Sequence, residues 1–77
     1  SMKTVKISLN SIDKVKSFVN TITKYDYDFD LVSGRYVIDA KSIMGIFSLD
    51  LSKAITMEIH SDDCQDFLNE IKPFIVK

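Results

Sequence analysis

The sequence predicts an α+β fold, a two-layer open-faced sandwich with the element order β-α-β-β-α-β-α. Four short segments alternate apolar and polar residues, which is typical of strands with one dry and one wet face. Two longer apolar stripes follow helical spacing, and a shorter apolar run begins after a serine that can cap a helix. A four-stranded antiparallel sheet with a single dry face needs cover on that side only. We therefore expect all three helices on one face of the sheet.

The first half of the chain predicts a strand, a helix and a hairpin. Alternating apolar residues place the first strand at residues 5–9, and Asn10 is the predicted N-cap of a helix over residues 11–23. A period-two pattern over residues 25–32 predicts the second strand. Ser33 and Gly34 then form a turn into a returning strand, which makes a hairpin.

The second half predicts a short helix, a strand and a final helix. Ser42 can cap a helix that reaches Leu49, and residues 54–60 alternate as the last strand. Ser61 or Asp62 is the predicted cap of the final helix, which carries Cys64 on its buried stripe. Pro73 should end or bend that helix, because proline disrupts a helix interior.

Composition limits the class of protein. The 77 residues, 45% hydrophobic and 27% charged, suit one soluble domain, assigned to residues 1–77. A net charge of -1 argues against nucleic acid as a partner. We expect no membrane insertion, because no apolar run approaches the roughly 20 residues that span a bilayer. We also expect no secretory signal, because none appears at the start of the sequence. The single cysteine fits a reducing cytoplasm. Ser1, before Met2, is interpreted as the remnant of an expression tag.

The stretch KSIMGIFSL, residues 41–49, is unusual because a glycine lies inside a short apolar run. Glycine in a helix interior costs about 1 kcal/mol relative to alanine. This stretch resembles the regulatory-serine segment of the HPr family, the histidine-containing phosphocarriers of the bacterial phosphoenolpyruvate-dependent sugar phosphotransferase system. TKYDYDFDL also resembles the segment that enters the family's second strand. GRYVIDA, DLSKAITMEI and SDDCQDFLNEI keep the family's pattern more loosely, so the resemblance spans about residues 21–71.

The start of the chain departs from the family. HPr proteins carry the phosphate on a histidine in a Gly-Leu/Ile-His-Ala-Arg-Pro loop at the start of the first helix, where helix amides and arginine stabilise it. The corresponding stretch here reads LNSIDKV. An ungapped count places Ser11 at the histidine and Asp13 at the arginine, where it would repel a phosphate; the loop is also expected to be shortened. We therefore expect no catalytic residue and no phosphohistidine, and we expect the chain not to be an enzyme.

The resemblance implies a regulatory role for Ser42. In Gram-positive members the matching serine is phosphorylated by HPr serine kinase, and the phosphorylated form binds a catabolite-control transcription regulator. Residues after that serine contact the kinase, the regulator and phosphotransferase-system components; here they are Ile43, Met44 and Phe47. We expect at least one of the three to be buried and at least one exposed. The alternative for Ser42 is a capping role alone.

Two other functions stay open. The chain could be a protein-interaction module that uses the same scaffold for a purpose unrelated to sugar transport, or a small-metabolite-binding domain. We expect no cofactor and no metal. His60, the only histidine, is predicted to be an exposed strand end, and the Asp62, Asp63 and Cys64 that follow have no recognised ligand spacing.

Overall fold

The computed structural model describes residues 2–76, so the expression-tag interpretation of Ser1 lies outside the described residues. The predicted element order and fold class are confirmed. The strands are β1 (Lys3–Ile7), β2 (Phe29–Ser33), β3 (Tyr36–Asp39) and β4 (Ile55–Ile59), and the helices are α1 (Ile12–Ile22), α2 (Ile43–Phe47) and α3 (Gln65–Glu70). A 3-10 turn, Lys72–Phe74, follows α3.

The four strands form one antiparallel sheet in the order β1-β4-β2-β3. The β2–β3 hairpin closes at the pair Ser33 and Tyr36, which leaves Gly34 and Arg35 as a two-residue loop. Gly34 has a φ of 61°, and it is the only described residue with a positive φ. A glycine with positive φ at the first loop position is the pattern of a type II′ turn, whose twist matches the paired strands.

The core lies between the sheet and the helices. Ile55, Met57 and Ile59 of β4 are fully buried, as the predicted alternation requires. Phe18 of α1 and Phe67 of α3 are fully buried in the same core. The core consists of side chains from every strand except β3 and from all three helices, with contributions from the connecting segments. Burial of this apolar surface is the main favourable contribution to folding.

The first two predicted strands differ in their bounds from the observed ones. β1 begins and ends two residues earlier than expected, and Leu9 is buried beyond its end. Only the second half of the predicted second strand pairs, as β2. Tyr25 and Tyr27 instead pack edge-to-face on Phe67, with ring centroids 5.1 and 6.3 Å away. The period-two pattern there therefore reflects ring packing in a loop, not strand pairing.

Two predicted helix caps are wrong. Ser11, not Asn10, caps α1, because its Oγ accepts a hydrogen bond from the Lys14 backbone N–H at 3.1 Å. Neither Ser61 nor Asp62 caps α3, which begins at Gln65 without a side-chain cap from residues 2–76. The Ser61 hydroxyl instead accepts from the backbone N–H of Asp63 at 3.2 Å, in a turn before the helix.

The end of the chain returns to the sheet. α3 ends before Pro73, and the 3-10 turn leads Ile75 into a bridge with Ile7. The Val76 N–H donates to the Lys6 carbonyl at 2.9 Å, and the Ser8 N–H donates to the Phe74 carbonyl at 2.8 Å. These bonds cover the outer edge of β1, which would otherwise expose unpaired backbone groups. None of the helices within residues 2–76 has the length and apolar character that crossing a membrane requires.

Candidate functional site

Ser11 occupies the start of α1 as a helix cap. The residue is exposed, and its backbone is extended, as expected of an N-cap. Asp13 lies in the first turn, where a negative charge favours the helix dipole. The same carboxylate would oppose a phosphoryl group placed at this end of the helix. Starting the helix is therefore a structural role that accounts for both Ser11 and Asp13.

Ser42 starts α2 in the same way. Its Oγ accepts a hydrogen bond from the Gly45 N–H at 3.1 Å, and its carbonyl accepts from the Ile46 N–H at 3.0 Å. A Cβ added at Gly45 would lie 3.2 Å from Ile38 Cδ1 and 3.2 Å from Ser42 Oγ. The glycine in KSIMGIFSL therefore lets α2 approach β3 closely while the Ser42 cap stays in place.

Lys41 holds the start of α2 against the rest of the molecule, a role that the sequence analysis missed. Its Nζ donates a hydrogen bond to the Tyr25 carbonyl at 2.7 Å and lies 5.5 Å from the centre of the Phe29 ring. Its backbone N–H donates to Asp39 Oδ1 at 2.9 Å. In the sequence alone, a lysine next to a serine is equally consistent with this contact and with a solvent-exposed side chain.

Ile43, Met44 and Phe47 are all exposed, with 36%, 78% and 43% of their surface accessible. The expectation that at least one of them is buried is wrong, whereas the expectation of an exposed one is confirmed. The buried position of α2 is Ile46, which is fully enclosed in the core. A helix of five residues has room for one inward-facing side chain, so its other apolar residues face solvent.

Ile12 adds a further exposed apolar side chain, 62% accessible, at the first turn of α1. The buried stripe of α1 consists of Val15, Phe18 and Ile22, so Ile12 lies outside the core. α1 and α2 contact each other. Exposed apolar groups on two touching helices are a feature of protein-interaction surfaces.

His60 lies at the other end of the sheet from the segment that leads to Ser11. Ile7 pairs with Ile55, while Lys3 pairs with Ile59 directly before His60. The two ends of β4 are about 13 Å apart at about 3.3 Å per residue. The only histidine of the sequence therefore lies at the opposite end of β4 from the segment that leads to α1.

His60 is an exposed strand end, as predicted, and it has a partner that the sequence analysis did not anticipate. Its Nε2 lies 3.0 Å from Asp30 Oδ2. Glu58 offers a third ligand atom, and the three atoms lie within 4.8 Å of one another. Asp30 and His60 are far apart in sequence, so local ligand spacing could not reveal this cluster.

Two groups near α3, outside the α2 surface, have shifted pKa values. The Glu70 carboxylate accepts hydrogen bonds from Lys24 Nζ and from the Tyr25 hydroxyl, both at 2.8 Å. The bond from Lys24, followed by that from Tyr25, lowers the pKa of Glu70 below its ordinary value. The same carboxylate raises the pKa of Tyr25, because it accepts a hydrogen bond from the phenol hydroxyl. These residues tie the end of α1 to α3.

A hollow of about 390 Å³ lies between the hairpin loop and the connection from α2 to β4. Its walls include Arg35, Tyr36, Asp50 and Lys53, all of them exposed. Small-molecule sites enclose most of the ligand surface among apolar side chains. This hollow is open to solvent and lined largely by exposed side chains, so it would not enclose a ligand.

Comparison with known proteins places the chain in a family. The family model described as "PTS HPr component phosphorylation site" matches residues 14–77, a match that begins after Ser11. The chain is similar in structure to a phosphocarrier protein HPr from Bacillus anthracis str. Ames, with a TM-score of 0.71, 24% identity, and coverage of 99% of this chain and 96% of that one.

A second similar structure is HPr-C-His from Thermoanaerobacter tengcongensis. Its TM-score is 0.67 at 25% identity, with coverage of 94% of this chain and 93% of that one. No curated protein matches the sequence. The family match covers most of the chain, and both structures share the fold described above. The chain therefore belongs to the PTS HPr family of phosphocarrier proteins.

Proposed function

We propose that this chain is a regulatory member of the HPr family that acts by binding proteins through α2 and does not carry phosphate on a histidine. The observation that carries the proposal is the exposure of Ile43, Met44 and Phe47 directly after the Ser42 cap. Exposed Met and aromatic side chains form adaptable contacts with partner proteins. We propose a cytoplasmic protein without enzymatic activity of its own.

The residues at the start of α1 support the loss of histidine phosphotransfer. Ser11 and Asp13 occupy the turn where the family resemblance expects a histidine and an arginine. His60 lies at the far end of β4 and bonds to Asp30. A phosphoryl donor that docks at the start of α1 would meet a hydroxyl and a carboxylate there, without an imidazole.

We propose Ser42 as the regulatory phosphorylation site. The residue is exposed, so a kinase can reach its hydroxyl. The proposed partners are HPr serine kinase, a catabolite-control transcription regulator and phosphotransferase-system components. A phosphate adds negative charge and acceptor oxygens next to the apolar side chains of α2, which would change what that surface binds.

Intact mass measurement tests both parts of the proposal. Incubation with ATP and a cognate HPr serine kinase should add one phosphate, which Ser42→Ala should abolish. Ser48→Ala is the matched control, because Ser48 also lies exposed at an end of α2 and should remain competent for phosphorylation at Ser42. Incubation with phosphoenolpyruvate and the first enzyme of the system should add none. Stable labelling from phosphoenolpyruvate would overturn the loss of phosphotransfer.

The interaction surface has its own control. Met44→Ala should slow phosphorylation by the kinase, because it removes the most exposed side chain of the proposed docking surface. Val37→Ala removes an apolar side chain that is 62% exposed on the sheet, and it should leave the rate unchanged. Equal effects of the two variants would contradict docking through α2.

The two alternatives predict other results. An interaction module unrelated to sugar transport would use the same surface but gain no phosphate on Ser42. A small-metabolite-binding domain would show a saturable rise of the melting temperature with its ligand. The shallow hollow near Arg35 and Lys53 gives that last alternative little structural support.

A further inference from the structure

The open face of the sheet carries a row of three acidic side chains. The register pairs Asp30 with Glu58 on one side and with Asp39 on the other, so the three residues lie opposite one another on adjacent strands. Like charges directly opposite in a sheet are destabilising. Within residues 2–76, neither lysine nor arginine forms an ion pair with any of these three carboxylates.

His60 brings a nitrogen ligand to the same place. It follows β4 two residues after Glu58, which puts the two side chains on one face of the strand. The His60 backbone N–H donates to the Asp28 carbonyl at 3.0 Å, which holds the strand end beside β2. The imidazole Nε2 then lies 3.0 Å from Asp30 Oδ2.

The spacing of these groups suits one metal ion. Ligand atoms that bind zinc at about 2.0–2.2 Å in a tetrahedral site lie about 3.3 Å apart. The His60 and Asp30 atoms already have a similar separation, and all three ligand atoms lie within 4.8 Å of one another. Rotation of the flexible Glu58 side chain can close the remaining gap. The side chains of His60 and Asp30 are 40% and 36% exposed, so an ion can reach them from solvent.

We propose that Asp30, Glu58 and His60 bind a divalent transition-metal ion of the zinc type on the open face of the sheet. An imidazole nitrogen with two carboxylates favours such an ion over magnesium, which prefers oxygen ligands and keeps its water. Asp39 adds negative charge next to Asp30 while its Oδ1 accepts from the Lys41 N–H. The site is separate from the α2 residues of the proposed docking surface.

Calorimetric titration of the tag-free protein with Zn²⁺ tests this proposal. We expect saturable binding of one ion per chain. His60→Gln, Asp30→Asn and Glu58→Gln should each weaken it by at least about tenfold, or about 1.4 kcal/mol. Asp66→Asn in α3 is the matched control, because it removes an exposed carboxylate outside the cluster. Binding by that variant should stay within about twofold of the unchanged protein.

A second readout separates a metal site from a simple ion pair. The imidazole ¹⁵N signals can be assigned without ambiguity, because the sequence has one histidine. They should shift on addition of Zn²⁺ but not of Mg²⁺. The proposal is overturned if no saturation occurs below about 1 mM Zn²⁺. It is also overturned if His60→Gln binds as well as the unchanged protein, or if Mg²⁺ competes equally.

Discussion

Ser42 has two roles: it caps α2, and it is the proposed phosphorylation site. Its Oγ accepts the Gly45 N–H and satisfies one of the donors that a helix start leaves without a partner. Ser42→Ala should lower the free energy of unfolding by about 1 kcal/mol, as cap removal usually does. Ser42→Asp keeps an acceptor at the same position and should cost only a few tenths of a kcal/mol, roughly. Urea unfolding of both variants measures the difference.

Ser11→Ala provides the matched control, since it removes the equivalent cap of α1. It should cost a similar amount, again about 1 kcal/mol. If Ser42→Asp destabilises the protein as much as Ser42→Ala, the Oγ contact is not what starts α2. In that case Ser42→Asp would be unsuitable as a substitute for phosphoserine.

Glu70 provides a prediction about pH. The hydrogen bond from Lys24 is the first cause of its lowered pKa. Lys24→Met should therefore raise the pKa of Glu70 toward its ordinary value. Because the folded-state pKa is lowered, the stabilisation is present above the unfolded-state pKa and is lost as pH falls through the folded value.

Carboxyl ¹³C chemical shifts of Glu70 across an acid titration measure this change. Lys16→Met is the control, because it removes an exposed lysine of α1 that does not bond to Glu70. An unchanged pKa of Glu70 in Lys24→Met would contradict the assigned cause. Tyr25 would then become the remaining candidate, since its hydroxyl donates to the same carboxylate.

At the scale of single elements, α2 has one buried face and a wider exposed one. Ile46→Ala should lower the free energy of unfolding by about 2–5 kcal/mol, because it opens a cavity in the core. Met44→Ala should change it by no more than about 0.5 kcal/mol, as surface substitutions usually do. Denaturant unfolding measures the free energy of unfolding of the two variants, and so compares the contributions of the buried and the exposed face of α2. Equal losses would mean that Met44 packs against the molecule and is not available to a partner.

The pairing of β2 with β3 and with β4 places three carboxylates opposite one another on the sheet. The type II′ loop at Gly34 sets the register of β2 and β3, and that register puts Asp30 opposite Asp39. Pairing of β2 with β4 then places Glu58 opposite Asp30. A shift of one residue would turn Asp30 to the buried face. The acidic row therefore depends on strand register, not on local sequence.

At the scale of the whole molecule, the end of the chain is part of the core. Phe74 is 7% exposed and packs edge-to-face on Phe18, with ring centroids 5.4 Å apart. Phe74→Ala should lower the free energy of unfolding by about 3–5 kcal/mol. That is a large share of the roughly 5–15 kcal/mol that stabilises a typical domain. Urea unfolding followed by circular dichroism and by tyrosine fluorescence measures it.

Val76→Ala is the control for Phe74→Ala, because it alters an exposed side chain of the same segment and keeps the bond from Val76 N–H to Lys6. It should be nearly neutral. A loss below about 1 kcal/mol for Phe74→Ala would show that the C-terminal segment contributes little to the core. Unfolding curves that differ between the two probes would argue against one cooperative unit.

Much of the candidate site could be predicted from the sequence, but its exposure could not. Ser42 as a cap follows from a serine before an apolar run, and the resemblance of KSIMGIFSL led to the prediction of an interaction surface there. Which apolar residue faces the core depends on how α2 packs against β3, where Gly45 lies close to Ile38. In this packing Ile46 is buried, whereas Ile43, Met44 and Phe47 are exposed.

The sequence by itself determined the element order and the two layers, because alternation and helical spacing depend on neighbouring residues. The family of this protein was predicted from the resemblance of segments such as KSIMGIFSL. The tertiary structure alone decided three features: the bracing of α2 by Lys41, the return of the chain end to β1, and the meeting of His60 with Asp30 and Glu58. Each of these joins segments distant along the chain. Such contacts depend on sheet order and register, which local patterns do not encode.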